Sequence, residues 1–156
     1  MTYIIAHPPL KSHGFYEETI LEYEKRLSRF CKVGWLVYFT HGRARYFCGG
    51  CERAAGQREA PYPIKEFERD ERDFLIGVSS DGIQLSSEEM AVRLKLAESS
   101  GRVNRIIFFI SPGSQFHYDE TWALASVCLS VDLQIVLLIE QIYRAHKIIY
   151  NEPYHK

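Results

Sequence analysis

The chain lacks a long hydrophobic run, a strong net charge and a full set of paired cysteines, and each shortage removes a class of function. The apolar run Ile135–Ile139 is followed at once by Glu140 and is far too short to span a bilayer. The opening MTYIIAHPPLKSHG has no basic start, no long apolar segment and no cleavage site, so no secretory signal is expected and the expected compartment is the cytoplasm. A net charge of −1 gives no global pull on nucleic acid, so any such attraction must be local. Of the four cysteines only Cys48 and Cys51, in CGGC, are paired, and a closed zinc site needs four ligands. In a reducing cytoplasm Cys31, Cys48, Cys51 and Cys128 read as structural thiols; a metal clip helped by Cys31 or His41, or a redox pair, are the alternatives. HExxH is missing, so no metal site is expected. The spacings of a P-loop and of a dinucleotide fingerprint are missing too.

What is present is an ordinary globule. With 156 residues, 46% apolar and 25% charged, the chain suits one domain, 1–156, with a real core. TYIIA at 2–6 reads as a buried strand and HPPLKSHG as a loop. In FYEETILEYEKRLSRF, Tyr16, Ile20, Tyr23, Leu27 and Phe30 recur at helical steps, which predicts an amphipathic helix. VGWLVYFT, 33–40, is a second strand. Residues 41–72 have glycines, prolines, mixed charges and no apolar period; a loop with short helical pieces is expected, either a solvated excursion or an RNA-facing one. DFLIGVS, 73–79, is a third strand, and SDG a turn. Ser86 or Ser87 then caps a helix that runs to about Ser99 and stops at Gly101. RIIFFI, 105–110, is apolar throughout and so buried on both faces. A short helical piece is expected over DETWALA and a fifth strand over SVCLSV, 126–131. The last helix is expected from Asp132 to about Tyr150, with Leu133–Ile139 buried on more than one side. Strand and helix alternate, which predicts an α/β fold: a mostly parallel sheet sandwiched by helices. Ligands in such sheets sit beyond the carboxyl ends of the strands, here Ser79–Gly82, Ser111–Gln115 and the Val131 region.

Ser111-Pro112-Gly113-Ser114 follows a buried strand directly, and small residues there would let a ligand approach the backbone. On the last helix Glu140 and Arg144 are spaced to pair, and Tyr143 lies one turn before Lys147.

LLIEQIYRAHKIIYNEPYHK closely resembles the C-terminus of the RlmH family, ribosomal large-subunit pseudouridine N3-methyltransferases of the SPOUT superfamily. EYEKRLSRF is similar to that family's first helix, DGIQLSSEEMA to its Gly-x-x-Leu-Ser-Ser-Glu-Glu segment, and WALASVCLSV to the strand before its last helix. The resemblance spans most of the chain. It implies a C-terminal trefoil knot, a homodimer, S-adenosylmethionine as cofactor, and 23S rRNA in the large ribosomal subunit as substrate. It implies cofactor binding by Val78, by Ser111, Pro112 and Gly113, and by a strand at Ala125, Ser126, Val127, Cys128, Leu129 and Ser130. It implies catalytic roles for His155, Tyr154 and Arg144, and substrate contacts for Lys156, Glu140 and Tyr143.

The chain departs from the pattern at three places. Ser111 and Pro112 stand where the family has two glycines, and about six residues are missing before Trp122. Val131 and Ile135 replace a histidine and an arginine. These departures keep a second expectation open: a degenerate homologue that binds RNA or ribosome without catalysis.

Overall fold

The stretch TYIIAH becomes β1 (Thr2–His7), and its residues Tyr3–His7 are all buried, as a strand inside a covered sheet must be. The structure is a computed structural model. It describes residues 1–8, 16–39, 43–47, 65–66, 69–111 and 117–153, with backbone alone at 38–39, 43–47 and 65–66. The remaining elements are α1 (Glu17–Leu27), β2 (Lys32–Phe39), β3 (Arg43–Phe47), β4 (Lys65–Glu66), β5 (Asp73–Gln84), α2 (Ser87–Ser99), β6 (Arg105–Ile110), β7 (Glu120–Ala123) and α3 (Val131–Ile149). They build one sheet in the order β4-β3-β2-β1-β6-β5-β7. The five strands β2, β1, β6, β5 and β7 are parallel, and β3 and β4 extend the sheet antiparallel.

The side chains split by the two-residue strand period. Tyr3, Ile5, Ile76, Val78, Ile106, Phe108, Ile110 and Trp122 face α1, α2 and α3 and form the larger core. Ile4, Ala6, Leu36, Leu75, Ile107 and Phe109 form a second core on the other face, with Tyr118 against it. Among the described residues all three helices pack on the first face, so the expected sandwich, with helices on both faces, is corrected to helices on one face. Arg105 at the start of β6 grips Asp73 at the start of β5, at 2.6 and 2.5 Å, and the carboxylate has no exposed surface.

Helix ends follow local chemistry. Ser86 Oγ accepts from Glu89 N–H at 3.1 Å while the Glu89 carboxylate accepts from Ser86 N–H at 2.8 Å, a complete capping box. Those bonds hold the Glu89 carboxyl below its usual range. Gly101, at φ 64°, closes α2 in the left-handed region. Asn151, at φ 52°, does the same for α3: Asn151 N–H reaches Ile148 O at 3.0 Å and Glu152 N–H reaches Lys147 O at 2.8 Å. Lys147 and Glu152 pair across this cap at 2.5 Å. No helix among the described residues is long and apolar enough to cross a membrane.

Five further expectations are corrected. Within 41–72, residues 43–47 and 65–66 are strands that continue the sheet beyond β2, so hairpin pairing supplied an order that apolar period did not show. β5 does not end at Ser79; it runs on to Gln84 through an irregularity between Val78 and Ile83. DETWALA forms no helix. Glu120–Ala123 is β7, paired with Ile76–Val78 and with Ile83–Gln84. SVCLSV forms no strand, because that slot beside β5 is filled by β7. Ser126, Val127 and Cys128 stand exposed in an irregular segment, and Ser130 caps α3 instead. Burial along Leu133–Ile139 is uneven, since Leu133 is 40% exposed while Ile135, Leu138 and Ile139 are fully buried.

Candidate active site

The ends of β6 and β7 flank β5 at Val78, just before its irregularity, and the residues that could hold a cofactor come from these strands and the segments that follow β6 and β7. Register puts Val78 beside Ile110 on one side and Trp122 on the other. One residue further on, Ser111 N–H donates to Val78 O at 3.1 Å, which ties the turn after β6 to β5. Ser111 sits at φ 55°, a backbone region that costs an L-residue roughly 1 kcal/mol or more and costs glycine little. We expect Ser111→Gly to stabilise the fold by up to about 1 kcal/mol, raising the thermal midpoint by roughly 2–4 °C. A lower midpoint would mean that the serine is not strained.

The third contribution is the segment after β7. Ala125 is half-buried, and Ser126, Val127 and Cys128 are exposed, Val127 at 63%. No hydrogen bond between described residues uses the backbone of 125–128. The segment is then recaptured: Gln134 Nε2 donates to Leu129 O at 2.9 Å, and Ser130 Oγ accepts from Leu133 N–H at 3.4 Å to start α3. The result is a stretch of small, mostly exposed side chains whose backbone at 125–128 bonds no other described residue, a candidate cradle. A ligand with a flat heterocycle and several donors and acceptors fits such a donor set.

A contact that sequence reading missed sets the shape of this edge. A Cβ on Gly82 would stand 2.5 Å from the carbonyl carbon of Trp122 and 2.7 Å from its nitrogen. Only glycine lets β5 press that closely on β7. In the sequence Asp81-Gly82 reads as a turn signal and gives no sign of the contact. Asp119 was also missed. Its carboxylate accepts from Leu75 N–H at 2.7 Å and receives two Arg69 bonds at 2.8 and 2.9 Å, which fixes the entry to β7. Trp122 is held by its indole N–H on Glu120 at 2.6 Å, and Glu120 also takes Arg93 at 2.6 Å. A groove along β7, lined by Asp81, Gly82, Ile83, Arg93 and residues 118–121, holds three acids and one arginine that is already paired, so it offers RNA little positive charge.

The other expected site residues lie elsewhere. Glu140 Oε1 accepts from Arg144 Nε and Nη2 at 3.0 and 2.8 Å, as the helical spacing predicts. Tyr143 packs among Tyr23 and Phe30, with ring centroids 5.9 and 6.3 Å away, and the Arg26 guanidinium lies 5.9 Å from its ring. These groups sit ten or more residues along α3 from Ser130, which is roughly 15–20 Å down the helix axis. One chain therefore does not bring them to its own cradle. Val131 is half-buried and Ile135 fully buried in the core, so an apolar contact stands where the family pattern has charge. Pro112, Gly113, Tyr154, His155 and Lys156 lie outside the described residues, as do Cys48 and Cys51. Cys31 is a free, buried thiol, pushed up to about 12 by desolvation first and by Glu98 second, and so stays unreactive; Cys128 is free and exposed.

The family model described as "Predicted SPOUT methyltransferase" matches residues 1–155. The chain belongs to the SPOUT methyltransferase family. Relatives named ribosomal RNA large subunit methyltransferase H span this chain as well. One, from a Thermoanaerobacter species, is 30% identical over 156 residues, the whole of both chains. One from Acetivibrio thermocellus is 32% identical over 160 aligned positions, 98% of both chains. One from Bifidobacterium adolescentis is 31% identical over 147 residues, 91% of both chains.

Proposed function

We propose that this chain is an S-adenosylmethionine-dependent methyltransferase that methylates N3 of a pseudouridine in 23S rRNA of the large ribosomal subunit. It acts as a single-domain protomer of a cytoplasmic homodimer, with its C-terminal segment threaded as a trefoil knot. The observation that supports the reading is the register that sets Val78 between Ile110 and Trp122, with Ser111 tied to Val78 and the exposed segment 125–130 following β7 in the chain. Backbone groups of 125–130 and of Ser111–Gly113 would hold the cofactor there. S-adenosylmethionine, when bound, supplies an electrophilic methyl group.

The chain's own work is alignment and proton removal. The pseudouridine N3 carries a proton that must leave, and an imidazole is suited to accept it near neutral pH, so His155 is the proposed base. Tyr154 would stack on the displaced base, since looped-out RNA bases are commonly read by aromatic stacking. Lys156 and Arg144 would meet phosphates, with Glu140 aiming Arg144 and Tyr143 supporting it. Chain length makes this a two-chain site. α3 has 19 residues, roughly 28 Å, and Pro153 lies at its far end from the cradle. His155 is two residues beyond Pro153, at most about 7 Å of chain. On this reading the tail serves the partner's cradle rather than its own.

The rival reading, an RNA-binding homologue without catalysis, is favoured by Pro112, which has no N–H to offer a ligand. Against it, Ser111 has a left-handed backbone at the position where the family pattern has glycine. Calorimetric titration with S-adenosylmethionine separates the two. Saturable binding, with methyl transfer to ribosomes that lack the modification, is expected; no heat at millimolar ligand, with ribosome binding intact, would establish the rival.

A further inference from the structure

His146 is one turn from the end of α3, fully buried, and neither ring nitrogen has a hydrogen-bond partner among the described residues. Its ring lies flat against Phe30, centroids 5.5 Å apart and planes 1° from parallel, meets Tyr3 edge-on at 5.4 Å, and stacks toward Tyr150 at 6.3 Å. The facing carboxylate is Glu98 of α2, whose Oε1 is 4.0 Å from Nε2, too far for a hydrogen bond, and which already accepts the Tyr3 hydroxyl at 2.7 Å. The other titratable groups turned toward this cluster are the Cys31 thiol, the Tyr150 hydroxyl and the Met1 amino group.

This arrangement suits a neutral imidazole and punishes a charged one. Burial holds His146 below the ordinary histidine range; Glu98 opposes that effect and the Met1 amino group adds to it. An exposed imidazole binds its proton near pH 6.5, at about the value of a free side chain. Below that pH the exposed state holds more protons than the packed state, so acid favours exposure. The packed form is fully stable above the ordinary imidazole value and loses stability as pH falls toward the depressed one. Exposing His146 does not require unfolding the sheet, because only Lys147, Ile148 and Ile149 separate it from the helix cap.

We propose that His146 is an acid-operated latch on the end of α3: when protonated it leaves the Phe30–Tyr150 stack, and the last turn of α3 opens together with the Asn151–Glu152 cap while the sheet stays folded. The latch stands on this packing alone and does not depend on the activity proposed above.

Hydrogen exchange by mass spectrometry on the full chain, corrected for intrinsic rates, reads this directly. From about pH 7.5 down to about pH 5, protection of the amides at 146–152 falls by up to roughly tenfold per pH unit below the imidazole range, with β1 and β6 unchanged. His146→Phe, which keeps a ring on Phe30, makes that protection independent of pH. Glu98→Gln removes the one nearby anion and carries the loss on to lower pH. Wild-type protection that ignores pH, simultaneous loss in β1 and β6, or the same profile in His146→Phe overturns the latch. If His146→Phe does not fold, an unaltered profile in Glu98→Gln overturns it instead.

Discussion

His155→Ala should bind S-adenosylmethionine as tightly as the unaltered protein and transfer the methyl group about 10²- to 10⁴-fold more slowly, the usual worth of a general base. The split follows from geometry. The proposed cradle is made of Val78, Ser111 and 125–130, whereas His155 enters from beyond Pro153 at the opposite end of α3. Loss of cofactor affinity with His155→Ala would place the tail in the cradle and remove the two-chain arrangement. Full activity would remove the histidine from the reaction. Mixing supplies a second readout. His155→Ala subunits combined with subunits carrying a bulky Ala125→Trp in the cradle should recover roughly a quarter of wild-type activity, because random C2 pairing reunites one intact tail with one intact cradle in the mixed dimers. No recovery would mean that each chain serves itself.

The second large effect is structural. Arg105→Ala should destabilise the fold by about 3 kcal/mol or more, because it leaves the Asp73 carboxylate buried without its cation. Asp70 N–H still donates to Asp73 at 2.8 Å, which tempers the loss but supplies no charge. Replacing both partners, Asp73→Leu with Arg105→Met, should recover much of that stability, since neither charge is then stranded. Urea unfolding of the two variants checks this. A loss below about 1 kcal/mol for Arg105→Ala would show that water reaches the carboxylate when the arginine leaves.

The sequence showed most where one interaction decided the outcome. RIIFFI could only be a strand covered on both sides, and Ser86 or Ser87 with acids in the turn that follows could only start a helix, because these signals are local and unopposed. It misled where neighbours competed for one slot. SVCLSV has good strand chemistry, but Thr121, Trp122 and Ala123 already hold the edge of β5, so propensity lost to position. The hairpin order of 43–47 and 65–66 was hidden because pairing there does not rest on an apolar stripe. Of the candidate site, the Glu140–Arg144 pair was legible from spacing alone. The Gly82 contact was not, since a glycine in sequence does not say what it touches. The family resemblance supplied the cofactor and the tail roles, which no spacing rule would have found.

The place of β1 in the sheet has a consequence for how the chain is made. Thr2–Ala6 pairs with Arg105–Phe109, so β1 waits for a partner about a hundred residues later in the chain. At translation speeds of roughly 5–20 residues per second, that wait is on the order of 5 to 20 s. During it Ile4 and Ile5 have β2 on one edge and nothing on the other. A nascent chain stalled before β6 should therefore be a chaperone client, and release from that dependence should coincide with emergence of RIIFFI.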